Sequence, residues 1–144
     1  MKWIIRLLKI LSYHERIIPD RIYKRLKYLT RWYLIGRRKH LIACLVLHEF
    51  HRSDPTVRHC HPFPFLSLVL TGGYWEEMDD GCWYWRAPGT ILFRWASTRH
   101  RIILDPTVSG PIYTLVLLGP RIKKTWGFHT PTGFVAHDHY RGGQ

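Results

Sequence analysis

Three of the ten histidines in this 144-residue chain are spaced so that they could bind one metal ion. His59 and His61 are separated by one residue and precede the apolar run 65–70, and His100 lies at the start of a later run. Side chains at positions i and i+2 of an extended chain point to the same side, so both imidazoles of the pair could reach one ion. Three neutral imidazoles with open coordination positions would suit zinc, iron, manganese or nickel as a divalent ion.

A carboxylate that could work beside these histidines lies in the segment 73–78. Alternation along a strand would put Tyr74 and Glu76 on one face, and Trp75 and Glu77 on the other. If the first pair faces inward, Glu76 is a candidate general base or a fourth metal ligand. The alternative is that Glu76 is a solvated carboxylate of a hairpin.

Other side chains near these motifs could hold a substrate. Ser67 occupies an alternating position on the strand that follows the histidine pair, and Tyr74 shares its face with Glu76. Arg94 and Arg99 precede His100, and an arginine near three histidines could hold a carboxylate or phosphate with two parallel hydrogen bonds. The alternatives are a core serine and an exposed face of charged arginines.

The spacing around the histidine pair resembles the first motif of a known family, the cupins. That motif reads HxH, then Glu four residues on, then Gly seven residues further. This chain has His59, His61 and Gly72 at those places, but Phe65 stands where the glutamate is expected. A phenylalanine cannot bind metal, so the resemblance carries no carboxylate ligand in this motif.

The second cupin motif begins at a glycine that opens a strand and ends in a histidine eleven residues later, as Gly89 and His100 do. Its Pro-x-Gly turn falls on Trp95 and Ser97, which is a second departure. The resemblance implies a metal site of three histidines like that of the cysteine dioxygenase type, with Fe²⁺ the first choice and Zn²⁺, Mn²⁺ or Ni²⁺ as alternatives. It also allows a cluster without metal, because many cupin-like chains have lost the ion.

Short apolar runs, cut by turn residues every 8–12 positions, dominate the chain from residue 40 onward. Asp80-Gly81 between two aromatic runs is a strong hairpin signal. Together with the resemblance, this pattern predicts a mainly β fold, a cupin-like jelly-roll β-barrel over residues 40–144. The predicted strands are 41–50, 65–70, 73–78, 82–86, 90–95, 100–104, 112–118 and 125–128.

Residues 1–39 form a basic segment outside the resemblance, which we predict to be an N-terminal helical extension. It holds 12 Lys and Arg against Glu15 and Asp20, a net charge of +10 out of +12 for the whole chain. Apolar residues recur at roughly helical spacing over 2–18 and again over about 20–35. Such helices could bind nucleic acid or an acidic membrane surface. We favour instead that their apolar stripes pack on the barrel and leave Lys and Arg in water.

The composition excludes several classes of protein. No apolar run approaches the roughly 18–20 residues of a membrane span. Three cysteines, Cys44, Cys60 and Cys82, are odd in number and lack CxxC spacing, so a disulfide framework is not expected. Reduced cysteines favour a cytoplasmic protein.

The function that these residues favour is that of a metal-dependent enzyme, dioxygenase-like or hydrolase-like, acting on a small substrate for which an anion is one option. The alternative is a non-catalytic cupin that binds or sequesters an anionic small molecule such as a nucleotide. A homodimer is expected from the resemblance only, and a bacterial virus is one source that would fit so short a chain.

Overall fold

Two antiparallel sheets and one helix make up the described part of the computed structural model, residues 1–21, 23–36 and 43–142. The helix α1 covers Lys2–Leu11. The first sheet contains β1 (His14–Pro19), β2 (Lys27–Ile35), β3 (Cys44–Phe50), β5 (Phe65–Thr71), β8 (Ile91–Arg94) and β10 (Ile112–Leu118). The second sheet contains β4 (Arg58–His59), β6 (Tyr74–Met78), β7 (Trp83–Arg86), β9 (His100–Ile103), β11 (Gly127–Thr130) and β12 (Gly133–Ala136).

The order of the strands is that of a barrel made of two layers. The first sheet runs β1-β2-β3-β10-β5-β8, and the second runs β12-β11-β4-β9-β6-β7. Some neighbours are consecutive strands, but β3 and β10, β10 and β5, and β4 and β9 pair across long stretches of chain, as in a jelly roll. The predicted mainly β, cupin-like barrel with an N-terminal helix is therefore confirmed. Each of the eight predicted strands is present, although residues 41 and 42 of the first lie outside the described residues.

Alternation along the strands separates an inner from an outer face. On β3, Val46 faces the interior with Tyr33 and Val116, whereas Leu47 faces outward. Leu47 is nonetheless fully buried, because Ile5 of α1 packs against it from outside. The first sheet is thus covered on both faces where α1 lies, and its inner face is free to line a cavity with the second sheet.

The helix predicted over about 20–35 is wrong, and the first predicted helix ends at Leu11 rather than at residue 18. β1 and β2 form an antiparallel pair that extends the first sheet next to β3. In β2, Leu29 and Tyr33 are buried on the inside, and Trp32 is buried under α1 on the outside. A strand buried on both faces loses the alternation of apolar and polar residues, so its pattern resembled that of a helix.

Two further predictions concern the ends of these elements. The hairpin at Asp80-Gly81 is confirmed, since Gly81 has a φ of 80° and the Cys82 amide donates to the Asp80 side chain at 2.9 Å. The domain boundary between residues 39 and 40 lies outside the described residues and stays a prediction. Among the described residues, no helix is long and apolar enough to cross a membrane.

Candidate metal centre

A cavity of about 990 Å³ lies between the inner faces of the two sheets. His59, His61 and His100 all line it. Each of them offers a ring nitrogen, and the three nitrogens lie within 4.8 Å of one another. The structure therefore brings together the three histidines that the sequence singled out as metal ligands.

Strand pairing explains why these side chains meet. His59 in β4 lies directly opposite His100 in β9. His61 follows two residues later on an extended chain, where its amide donates to the Ala96 carbonyl at 3.1 Å. Its ring consequently points to the same side as that of His59, and Nε2 of His61 lies 2.8 Å from Nε2 of His100.

The carboxylate of Glu76 holds the ring of His100 from behind. Glu76 is 1% exposed, and its Oε1 lies 2.7 Å from Nδ1 of His100. An ionised carboxylate can only accept hydrogen bonds, so Nδ1 is the donor. In a neutral imidazole the other nitrogen then carries the lone pair, and here that nitrogen is the Nε2 that faces His61. A carboxylate behind a histidine in this way is a common support for metal ligands.

Two arginines neutralise Glu76 in the barrel interior. Arg86 donates from Nε to Oε2 at 2.8 Å, and Arg94 donates from Nε to Oε1 at 2.9 Å and also pairs with Oε2. Burial by itself would raise the pKa of Glu76, but the hydrogen bonds from His100 and Arg94 outweigh burial and lower that pKa. Glu76 is therefore ionised at neutral pH, with both oxygens engaged. These contacts favour a positioning role over the roles of general base and fourth ligand.

The ring of His59 is held less tightly by its nearby carboxylate than the ring of His100. Its Nδ1 lies 3.7 Å from Oδ2 of Asp54, too far for a hydrogen bond. Asp54 is itself held by the hydroxyl of Tyr28 and by the amide of Ile102, which donates to Oδ2 at 2.5 Å. Burial, only partly offset by Asp54, lowers the pKa of His59 to about 4, so the ring is neutral at pH 7.

The donor set fits a divalent ion. Burial also lowers the pKa of His61 well below its usual value, which keeps that ring in the neutral, ligating form. Two nitrogens bound at about 2.1 Å with bonds at a right angle would lie about 3 Å apart. The spacing of 2.8 Å between His61 and His100 is close to that value. Phe65 stands edge-on to His61 with ring centroids 4.9 Å apart, so an aromatic wall replaces the cupin glutamate.

Three of the four predicted substrate-binding residues line this cavity in the structure, and the fourth lies elsewhere. Ser67 and Tyr74 are buried and line the cavity, as does Arg94 behind Glu76. Arg99 is not among the described lining residues, and its guanidinium pairs with Asp79 at the surface. The roles of all four in binding stay predictions.

Sequence reasoning missed the basic character of the cavity. Arg31 on β2 lies next to His48 in the register and lines the interior. It was overlooked because β2 was interpreted as a helix, although strand alternation with the outward Trp32 would have pointed to it. Among the residues that the structure describes, eight basic and three acidic ones line the cavity. The basic ones are Arg16, Arg21, Lys24, Arg31, Arg52, Arg94, Arg121 and Arg141, and the acidic ones are Asp20, Asp54 and Glu76.

Comparison with known proteins gives a result for the fold only. No family model matches the sequence, and no curated protein matches it. Among solved structures, the polyketide cyclase RemF from Streptomyces resistomycificus matches with a TM-score of 0.53 and 22% identity over 63% of this chain. The Fe(II) form of HppE matches with a TM-score of 0.57 and 11% identity over 73% of this chain. A cupin-2 domain from Rhodospirillum rubrum matches with a TM-score of 0.58 and 15% identity over 85% of this chain.

The matched regions are only part of these proteins. They make up 64% of RemF, 56% of HppE and 76% of the Rhodospirillum domain, so this chain spans less than two thirds of the first two. At such low identity the likeness concerns the arrangement of strands and not the chemistry. The chain therefore has the fold of the cupins, which its histidine and glycine spacing had suggested.

Proposed function

We propose that this protein is a metal-dependent cupin enzyme that binds a divalent ion, with Fe²⁺ the first choice, through His59, His61 and His100. The observation that carries the proposal is the meeting of three imidazoles at the cavity wall, with His100 fixed by Glu76. An iron(II) protein, HppE, and a polyketide cyclase have this fold, so the fold is compatible with this metal and with an enzymatic role.

The chain's own residues would each have a defined part in such an enzyme. Glu76 holds the proton on Nδ1 of His100, so that the lone pair of this ring is on Nε2, which faces the cluster and would bind the ion. Phe65 and Trp126 flank the ring of His61 and keep water from that side. When bound, Fe²⁺ would supply the ability to activate dioxygen, whereas Zn²⁺ or Mn²⁺ would polarise an oxygen or generate hydroxide.

The substrate in this proposal is a small anion. Basic residues outnumber acidic ones by five among the described residues that line the cavity, and a narrow space of low dielectric strengthens their field. Arg31 lies close enough to His61 for its charge to help lower the pKa of that ring. A carboxylate or phosphate held by Arg31 would place the rest of the molecule beside the three histidines.

A second candidate is a binding protein without turnover, in which the same cavity sequesters an anionic molecule such as a nucleotide. The contacts of Glu76 favour it, because the carboxylate expected to move a proton is fully engaged by Arg86, Arg94 and His100. Retention of an anion that comes off chemically unchanged, with no product in the presence of the bound metal, would favour this alternative.

Metal titration of the protein, after removal of metal with a chelator, tests the site. We expect about one equivalent of Fe²⁺ to bind under anaerobic conditions, and His61→Ala or His100→Ala to abolish tight binding, because the remaining two imidazoles leave the set incomplete. His139→Ala is the matched control, since His139 is exposed and outside the cluster. Binding that survives His61→Ala, or no binding by the wild type, would contradict the proposal.

The homodimer and the cytoplasmic location also stay proposals. Support for a dimer comes from an apolar row across the outer face of the first sheet, in which Leu117 pairs with Leu66 and Leu66 with Phe93. All three side chains are exposed. Sedimentation of the purified protein at several concentrations would decide between monomer and dimer.

A further inference from the structure

Helix α1 is apolar on two opposite sides, and only one side is covered. Ile5 and Leu8 pack on the outer face of the first sheet against a cluster that includes Trp32 and Leu47. Away from the barrel, Trp3, Leu7 and Ile10 are 69%, 45% and 71% exposed, and Leu11 is exposed beside them. Residues at i, i+4, i+7 and i+8 share one side of a helix, so these four form a continuous outer stripe.

The orientation of this outer stripe is fixed by contacts on the covered side. Lys9 Nζ donates to Glu49 at 3.1 Å and to the hydroxyl of Tyr113 at 2.8 Å. The same ammonium lies 4.0 Å from the ring centroid of Trp32, so the neighbouring turn is anchored by a cation–π contact as well. The outer stripe is therefore held away from the barrel and exposed to solvent on a helix that is already folded.

The charge around the outer stripe is basic. Lys2 and Arg6 are exposed and lie one turn apart on the flank of the stripe. The one acidic residue that contacts α1 among the described ion pairs, Glu49, is paired with Lys9. The whole chain carries +12, most of it in residues 1–39. An anionic surface would therefore attract this side of the molecule.

We propose that α1 is an interfacial anchor that places its outer stripe in the surface of an anionic lipid bilayer. A helix with exposed Trp, Leu and Ile beside Lys and Arg has the chemistry of such anchors, which bury their apolar side at the boundary between headgroups and acyl chains. A second copy of this chain would bring Lys2 and Arg6 against like charges. A nucleic acid would pair with the basic residues but leave Leu7 and Ile10 in water.

Sedimentation with lipid vesicles tests this proposal on the full chain. We expect binding to vesicles of phosphatidylcholine with phosphatidylserine, and weak binding to phosphatidylcholine alone. Ile10→Ser should weaken binding about tenfold, since it removes most of the burial of one large apolar side chain. Lys2→Gln with Arg6→Gln should weaken it by about tenfold or more, and added salt should do the same.

The matched control is Ile91→Ser. Ile91 on β8 is 66% exposed, close to the value for Ile10, but lies outside α1. Ile91→Ser should bind vesicles like the wild type, and both serine variants should keep the circular dichroism spectrum and the metal stoichiometry of the wild type. Those readouts separate a failure of the anchor from a failure of the proposed metal site.

Three results would overturn the anchor. The first is a lack of selectivity. It would be seen as equal binding to neutral and anionic vesicles, or as vesicle binding that Ile10→Ser and Ile91→Ser weaken equally. The second is that the protein binds a DNA oligonucleotide but no vesicles, and that Ile10→Ser leaves the DNA binding unchanged. This result would assign the basic surface to nucleic acid. The third is a dimer that Ile10→Ser dissociates in the absence of vesicle binding, which would assign the outer stripe to a second copy.

Discussion

Two buried carboxylates stand behind two of the three clustered histidines, and they do so differently. Glu76 lies 2.7 Å from Nδ1 of His100 and is neutralised by two arginines. Asp54 lies 3.7 Å from Nδ1 of His59, and its oxygens accept hydrogen bonds from the Tyr28 hydroxyl and the Ile102 amide instead. One ring is locked by a charged network, whereas the other is held chiefly by packing. Rigidity in the cluster is therefore concentrated at His100.

The largest expected effect comes from breaking the Glu76 network. Glu76→Gln should lower the free energy of unfolding by about 3–5 kcal/mol, because it leaves the charges of Arg86 and Arg94 without their buried partner. Urea denaturation of the metal-free protein measures this change. Glu15→Gln, at an exposed position, serves as the control and should be close to neutral. A loss for Glu76→Gln no larger than that of the control would mean that the network contributes little.

The next effect concerns the metal and compares the two carboxylates directly. Glu76→Gln should weaken metal binding by about 10–100-fold, as is usual when a support behind a ligating histidine is removed. Asp54→Asn should weaken it by no more than about tenfold, because Asp54 makes no hydrogen bond to His59 in this structure. Competition with a coloured chelator measures both constants. A larger effect of Asp54→Asn would reverse the comparison.

A further effect on stability, smaller than that of Glu76→Gln, is expected at Tyr28, one step behind Asp54. Tyr28→Phe removes a hydrogen bond to a buried carboxylate and should cost about 1.5–3 kcal/mol of unfolding free energy. Equal stability of the two proteins at neutral pH would show that this hydrogen bond does not support Asp54.

Tyr28 should also make the free energy of unfolding fall at alkaline pH. Burial and the Asp54 carboxylate raise the pKa of Tyr28 well above its usual 10 in the folded state. In the unfolded chain the hydroxyl ionises near pH 10, so the contribution of Tyr28 is complete below that pH and declines as pH rises above it. The stability advantage of the wild type over Tyr28→Phe should shrink there, as unfolding curves at pH 8 to 11 would show.

Local sequence patterns were enough to predict the strands of much of the barrel. The strand over 112–118 was predicted with the bounds that β10 has, and alternation placed Tyr74 and Glu76 on one face of β6 but left open whether that face points inward. The pattern failed at β2, where Trp32 is covered by α1 and Tyr33 by the core. Burial on the outer face depends on a helix that packs there but lies well before β2 in the chain, which no window of neighbouring residues reveals.

The sequence by itself determined that His59 and His61 could share an ion, because spacing of two on an extended chain is a local property, and the resemblance of the interval from Gly89 to His100 to a cupin motif added His100. Only the tertiary structure decided which groups contact Glu76. Its partners Arg86, Arg94 and His100 come from three other strands, and their hydrogen bonds keep the carboxylate ionised and hold it against one ring. Hydrogen bonds and desolvation act over a few ångströms in space, so the role of a buried carboxylate is set by neighbours that strand pairing brings to it.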